Sequence, residues 1–277
     1  MKLKGKDKAK VRDMKRKMGL TEPALFDDSD VEIGTGITSI IHGPAKSGKS
    51  LTALKAPGPI VYLTCDRSYL GPYKYAKACG KDLSRVEFFW TPPKKTLSVK
   101  DTRLQLEAQG LMKTFEDSYI RALRASLKQV RSIIIDNGTL INIMCLSAIQ
   151  GKVARILPRD RGASNDRMQR LYSMSQEFEG KQVIWIHRSK EEYRGENPTG
   201  NLIPEGWKHA VNEVQAVIET RRVRTKQGVE FFATITDSMY DAEAIGEEFE
   251  GDNLTYAKIA SSLTKLDEDE FSDGVEL

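Results

Sequence analysis

Eight consecutive residues, Gly43-Pro44-Ala45-Lys46-Ser47-Gly48-Lys49-Ser50, constrain this chain more than any other stretch. They fit the spacing G-x-x-x-x-G-K-[ST]. Glycines at those places let the backbone curl until successive N–H groups point into one concavity, which suits an anion. A helix starting where the loop ends adds the positive end of its dipole to the same place. Lys49 is then placed to reach the outer phosphates of a bound triphosphate, and the Ser50 hydroxyl to ligate Mg²⁺ beside them. The segment from Gly43 through Leu51 is the expected nucleotide-binding loop.

The flanks agree with that reading. Gly36-Ile37-Thr38-Ser39-Ile40-Ile41-His42 is apolar and β-branched, as a buried strand is. Lys49-Ser50-Leu51-Thr52-Ala53-Leu54-Lys55 has the composition of a short helix, stopped by Ala56-Pro57-Gly58. Strand, glycine loop and helix follow in the order the motif needs.

Further strands are legible downstream. Pro59-Ile60-Val61-Tyr62-Leu63-Thr64 is apolar and ends at Cys65-Asp66, and a helical stretch from about Ser68 to Cys79 closes at Gly80. Val86 to Trp90 is a third strand candidate, and a long helix capped by Ser98 or Asp101 carries Leu104, Leu111, Phe115, Tyr119 and Leu123. Arg131-Ser132-Ile133-Ile134-Ile135-Asp136 is an apolar strand ending in aspartate, the Walker B arrangement in which Asp136 holds Mg²⁺ through water. Gln182 to His187 is a fifth strand, and two β-rich runs, Val214 to Arg222 and Val229 to Thr236, flank a glycine turn as a hairpin. Strands alternating with helices predict an α/β fold with a mostly parallel central sheet and its ligand at the strands' carboxyl ends. The phosphate loop, Asp66, Asp136 and His187 all follow strands directly, so one sheet edge gathers them.

Composition sets outer limits. No apolar run approaches membrane-spanning length, and the N-terminal lysines precede no apolar leader, so a cytoplasmic location without membrane contact is expected. Cys65, Cys79 and Cys145 are isolated and suggest neither disulfides nor zinc. The net charge of +4 is unevenly spread. Residues 1–29 are expected as a basic, disordered arm, 30–240 as the core, and 241–277 as an acidic tail with room for a short helix. The basic arm reads as a nucleic-acid contact or as a solubilising tail.

This order of parts resembles the core of the RecA-like ATPases. The similarity covers roughly residues 30–240 in order of elements, and only the phosphate loop is specific as a motif. It is greatest with the small phage-encoded members that keep the core without large flanking domains and act in single-strand annealing. The setting His187-Arg188-Ser189-Lys190-Glu191 is part of that likeness. The resemblance implies ATP and Mg²⁺ as ligands, single-stranded DNA as partner, assembly into rings or filaments, and a single-strand-binding or replication protein as a further partner. It implies a host cytoplasm if the chain is phage-encoded.

It also implies roles for residues. Lys49 and Asp136 serve the phosphates and metal, and His187 holds the place of the residue that senses the γ-phosphate. Asp66 holds the place of the carboxylate that orients the attacking water. The family usually has glutamate there, and the other reading of Asp66 is a turn residue capping the next helix at Ser68. A first DNA-binding loop corresponds to Gly151–Gly162, with Lys152, Arg155, Arg159 and Arg161. A second corresponds to Arg188-Ser189-Lys190 through Gly195–Gly200, with Tyr193 and Trp207 available for stacking. Arg221, Arg222 and Arg224 are candidates for an arginine presented to a neighbouring subunit, Arg222 first among them. Pro23-Ala24-Leu25-Phe26 is a candidate subunit-docking peptide.

Two other function classes fit the phosphate loop. A kinase of a small molecule or nucleotide would show consumption of ATP with its substrate and no response to DNA. A non-catalytic, nucleotide-gated loader or annealing factor would bind ATP without turning it over. The shorter carboxylate at Asp66 leaves the latter open.

Overall fold

The computed structural model describes residues 36–93, 99–153, 156, 161–178, 180–226, 228–275 and 277. The basic arm 1–29, the peptide Pro23–Phe26, and Arg155 and Arg159 lie outside the described residues.

The predicted fold class holds. β1 (Thr38–Gly43), β2 (Ile60–Thr64), β3 (Leu83–Glu87), β4 (Ser132–Asp136), β5 (Gln182–Arg194) and β7 (Ala216–Arg224) form the parallel part of a nine-stranded sheet. Its order is β3-β2-β4-β5-β1-β7-β8-β9, with β8 (Val229–Ser238) and β9 (Glu248–Glu250) antiparallel at one side. β6 (Asn197–Pro204) pairs with β5 outside that path. β7 and β8 are the predicted C-terminal hairpin.

Because side chains alternate along a strand, each central strand feeds two cores. Ile40, Ile133, Ile135, Val183 and Trp185 pack on one face with α3 (Thr102–Arg124), α4 (Gly138–Gln150) and α5 (Gly162–Gln176). Ile41, Ile134, Ile184 and Ile186 pack on the other with α1 (Lys49–Leu54), α2 (Leu70–Ala78) and α6 (Tyr256–Thr264). These strands read as continuous apolar runs because both of their faces are covered. Caps fix the helix starts: the Asp101 side chain accepts from the Arg103 and Leu104 amides, and the Asn137 side chain accepts from Leu140 N.

Three expectations change. The third strand pairs with β2 over Leu83–Glu87, not Val86–Trp90, because Ile60 meets Leu83 in register. Only Phe88 and Trp90 extend the contact, donating to the carbonyls of Thr64 and Cys65. The fifth strand does not stop at His187. It runs on to Arg194 and turns back through β6, so the expected second loop is a β-hairpin.

The acidic tail is not a tail. Residues from Thr35 through Leu277 form one compact unit. Tyr256, Ile259, Ala260 and Leu263 recur at helical spacing and bury one face of α6, and Phe271 is fully buried. Asp273 accepts from the buried Lys81 ammonium at 2.6 Å and from Gly58 N at 2.7 Å, and Arg131 donates to the carbonyls of Glu270 and Ser272. The acidic residues 267–270 therefore decorate a segment anchored by its neighbours.

Candidate functional site

The site forms where β1, β2, β4 and β5 end. After β1 the loop turns through Lys46 and Gly48, both with positive φ (62° and 95°), and enters α1 at Lys49. Its floor is the neighbouring strand β7. Thr220 Oγ1 donates to the His42 carbonyl at 3.2 Å, so its bond with Ser47 Oγ at 2.7 Å must be donated by the serine. A side chain at Gly43 would place a Cβ 2.2 Å from the Thr220 carbonyl oxygen, which is why glycine opens the loop.

Lys49 Nζ donates to the carbonyls of Gly43 (2.8 Å) and Pro44 (2.6 Å), lying along the loop it serves. Burial lowers its pKa; Asp136 opposes that shift and Arg188 adds to it. Ser50 Oγ donates to Asp136 Oδ2 at 3.1 Å, and the buried Tyr62 hydroxyl donates to the same oxygen at 2.6 Å. Burial raises the Asp136 pKa, while the donors Tyr62 and Ser50 pull it back. A hydroxyl and a carboxylate oxygen side by side are hard ligands of the kind Mg²⁺ takes, with the remaining positions left to water and phosphate. Among the described residues no group of three or more His, Cys, Asp or Glu is placed to hold a metal by itself. The pair Ser50–Asp136 fits a metal shared with a bound polyphosphate.

Asp66 follows β2. Its Oδ1 accepts from Ser68 N at 2.9 Å, capping the 3-10 turn Arg67–Tyr69, and its Oδ2 lies 3.6 Å from the Arg188 guanidinium. The capping geometry raised by the sequence is thus present, together with an ion pair that sequence alone gave no sign of.

His187 is buried on β5. Its Nδ1 lies 2.8 Å from the Glu205 carbonyl, which only accepts, so that nitrogen carries the proton. Nε2 then accepts from the Tyr172 hydroxyl at 2.7 Å. Burial pushes its pKa down to about 4, leaving a neutral ring. Gly138, which starts α4, is small of necessity: a Cβ there would sit 2.3 Å from His187 Nε2. The Glu205 carbonyl also accepts from Thr139 Oγ1 at 2.7 Å, and Thr139 Oγ1 accepts from Arg188 N at 3.1 Å. His187 therefore ties the start of α4 to the base of the β5–β6 hairpin. His42, its partner in register on β1, reaches the same hairpin through Ser189 Oγ at 2.9 Å.

The structure brings Lys49, Ser50, Asp136, Asp66 and Arg188 to one edge, with His187 beneath. Lys152 and Arg161 lie on the connection between α4 and α5, and Lys190 on the hairpin. Arg221 is engaged, with its guanidinium 2.6 Å from Glu248 Oε2 and 4.2 Å above the Phe232 ring. Arg222 and Arg224 are exposed, and alternation along β7 puts them on the side of Thr220.

No protein-family model matches the sequence, and no curated protein is similar to it. Among solved structures, the fold is similar to that of the RadB recombinase. The identity is 10%, over 79% of this chain and 87% of that one, with a TM-score of 0.46.

Several contributors escaped the sequence. Tyr62, Tyr172, Thr220, Glu205 and His42 act through strand register and packing, which no spacing reports. A cleft of about 510 Å³ beside the loop was also unforeseen; Gly48, Leu51, Phe231, Glu250, Asn253 and Leu254 are among its lining residues. Thr220 left no trace either, since it lies between Glu219 and Arg221, past the apolar start of β7.

Proposed function

We propose that this chain binds and hydrolyses ATP as a RecA-like protein, binds single-stranded DNA, and promotes annealing or strand exchange of the phage recombination type. The observation that carries the reading is the Ser50–Asp136 contact at 3.1 Å beside Lys49, within a loop that only glycine can open. That is the donor set a Mg²⁺-triphosphate needs: backbone amides, an ammonium, a hydroxyl and a carboxylate. The cleft beside Gly48 and Leu51 is of a size for the nucleoside, with Phe231 and Leu254 as apolar walls and Asn253 and Glu250 as polar groups.

In this reading Ser50 and Asp136 hold the metal, which when bound neutralises charge on the phosphate oxygens. Lys49 leaves the carbonyls of Gly43 and Pro44 for the outer phosphates, an exchange favoured because the anion is the stronger acceptor. Asp66 orients water, and His187 passes the state of the site to the β5–β6 hairpin through Glu205. DNA follows the connection Gly151–Gly162, whose sequence carries Lys152, Arg155, Arg159 and Arg161 and a single acidic residue, Asp160. Lys190 is a lesser contact, since Glu191, Glu192 and Glu196 balance the hairpin's basic residues. Assembly into a ring or filament, a replication-protein partner and a host-cytoplasmic setting complete the proposal.

The test is hydrolysis of MgATP with and without single-stranded DNA, for the wild type and Lys49→Ala, alongside DNA binding. DNA-stimulated turnover that Lys49→Ala abolishes is expected; no nucleotide binding by the wild type overturns the reading. One observation favours a second reading, a nucleotide-gated module without turnover: both Asp66 oxygens are engaged, by Ser68 N and by Arg188. Tight ATP binding with no phosphate release, with or without DNA, would select it.

A further inference from the structure

The site holds a second cation, Arg188, which the resemblance placed on the DNA track. Arg188 pairs in register with Gly43, the first residue of the phosphate loop. Its backbone is fixed on both sides, with N donating to Thr139 Oγ1 at 3.1 Å and O accepting from Glu205 N at 2.7 Å. The guanidinium is half exposed and lies 3.6 Å from Asp66 Oδ2. It is near enough to Lys49 to disfavour that ammonium's charge. Two cations thus converge from β5 and α1 on the space above the loop, and like charges so placed repel unless an anion lies between them.

Magnitudes decide which anion. At 3.6 Å and half exposed, the Arg188–Asp66 pair is long and screened by solvent, and such pairs contribute little. A guanidinium–phosphate contact is charge-assisted, often bidentate and markedly stronger. A polyphosphate in the loop therefore outcompetes Asp66 for Arg188. We propose that Arg188, supplied by the same chain, engages the terminal phosphate of the bound triphosphate, with Asp66 as the counter-ion it leaves. The proposal rests on the nucleotide reading above and moves Arg188 from the DNA track to the nucleotide site. It also gives Asp66 a state dependence: its Oδ2 is held while Arg188 is paired and is released when the phosphate arrives.

The contact discriminates triphosphate from diphosphate, so the experiment measures equilibrium binding of MgATP and MgADP to the full chain, without DNA. Arg188→Ala is expected to weaken ATP by about tenfold or more and ADP by less than about twofold, the size of one lost charge-assisted contact. Arg188→Lys, which keeps the charge without the planar fork, falls between. Asp66→Asn removes the competitor and raises the ratio of ATP to ADP affinity, a change that a purely water-orienting role does not produce. An unchanged ATP-to-ADP ratio in Arg188→Ala and Arg188→Lys overturns the proposal while the nucleotide reading stands. So does a loss of single-stranded DNA affinity in Arg188→Ala with nucleotide discrimination intact, which returns the residue to the DNA track. Wild-type chain that binds neither nucleotide overturns both. Should Arg188→Ala fail to fold, Arg188→Lys and Asp66→Asn carry the measurement.

Discussion

His42 and His187 face each other across β1 and β5, each 1% exposed. Burial is the first cause that lowers each pKa from 6.5 to about 4; for His42 the neighbouring His187 and Lys49 add to it. A histidine whose folded pKa is depressed binds fewer protons folded than unfolded, so stability is full above about pH 6.5 and falls as the pH drops towards 4. At about pH 5 the cost is about 2 kcal/mol for each ring. Charging the first ring raises the cost of charging the second, so the loss continues to a lower pH than one ring alone would give. The urea midpoint should therefore fall between about pH 7.5 and about pH 5, and fall less in His42→Asn. A midpoint indifferent to pH over that range would show the rings to be solvated. Protonation of His187 keeps the Nδ1–H bond to Glu205 and removes Nε2 as the acceptor of the Tyr172 hydroxyl, so the contact that acid breaks lies in the core and not at the hairpin.

At the scale of elements, the C-terminal segment carries the clearest energetic prediction. Phe271 is fully buried, two residues from the Asp273 carboxylate that pairs with Lys81. Phe271→Ala should destabilise the chain by about 3–5 kcal/mol in denaturant unfolding, the range for a buried aromatic. A loss near zero would mean the segment is dispensable. The sequence hid this element behind Asp267-Glu268-Asp269-Glu270, whose charge outweighs the single phenylalanine beside them. By contrast β1, β2 and β4 were legible to within a residue or two, because strands buried on both faces write themselves as unbroken apolar runs. The outer half of β5 was not legible: Glu191-Glu192-Tyr193-Arg194 is polar on both faces, and only pairing with β6 makes it a strand. At the site, Lys49, Ser50 and Asp136 could be read from spacing. The Arg188–Asp66 pair could not, since it exists only because β4 alone separates β2 from β5 in the sheet.

For the whole molecule, the two arginine roles are separable. Arg188 lies within its own chain's site, whereas Arg222 is exposed on β7 beside the loop-facing Thr220 and is proposed to act on a neighbouring subunit. Arg222→Ala should bind ATP normally yet lose about 10³-fold or more of DNA-stimulated turnover. Wild-type turnover per chain should rise with protein concentration as neighbours meet. Unchanged turnover in Arg221→Ala, Arg222→Ala and Arg224→Ala, each alone, would remove a trans-acting arginine from this hairpin. The continuity of β5 has a mechanical side. From His187 to Arg194 the strand extends about 23 Å, and a tilt of about 10° at its buried end carries the far end through about 4 Å. Such a tilt would carry the exposed turn through most of the spacing between neighbouring strands.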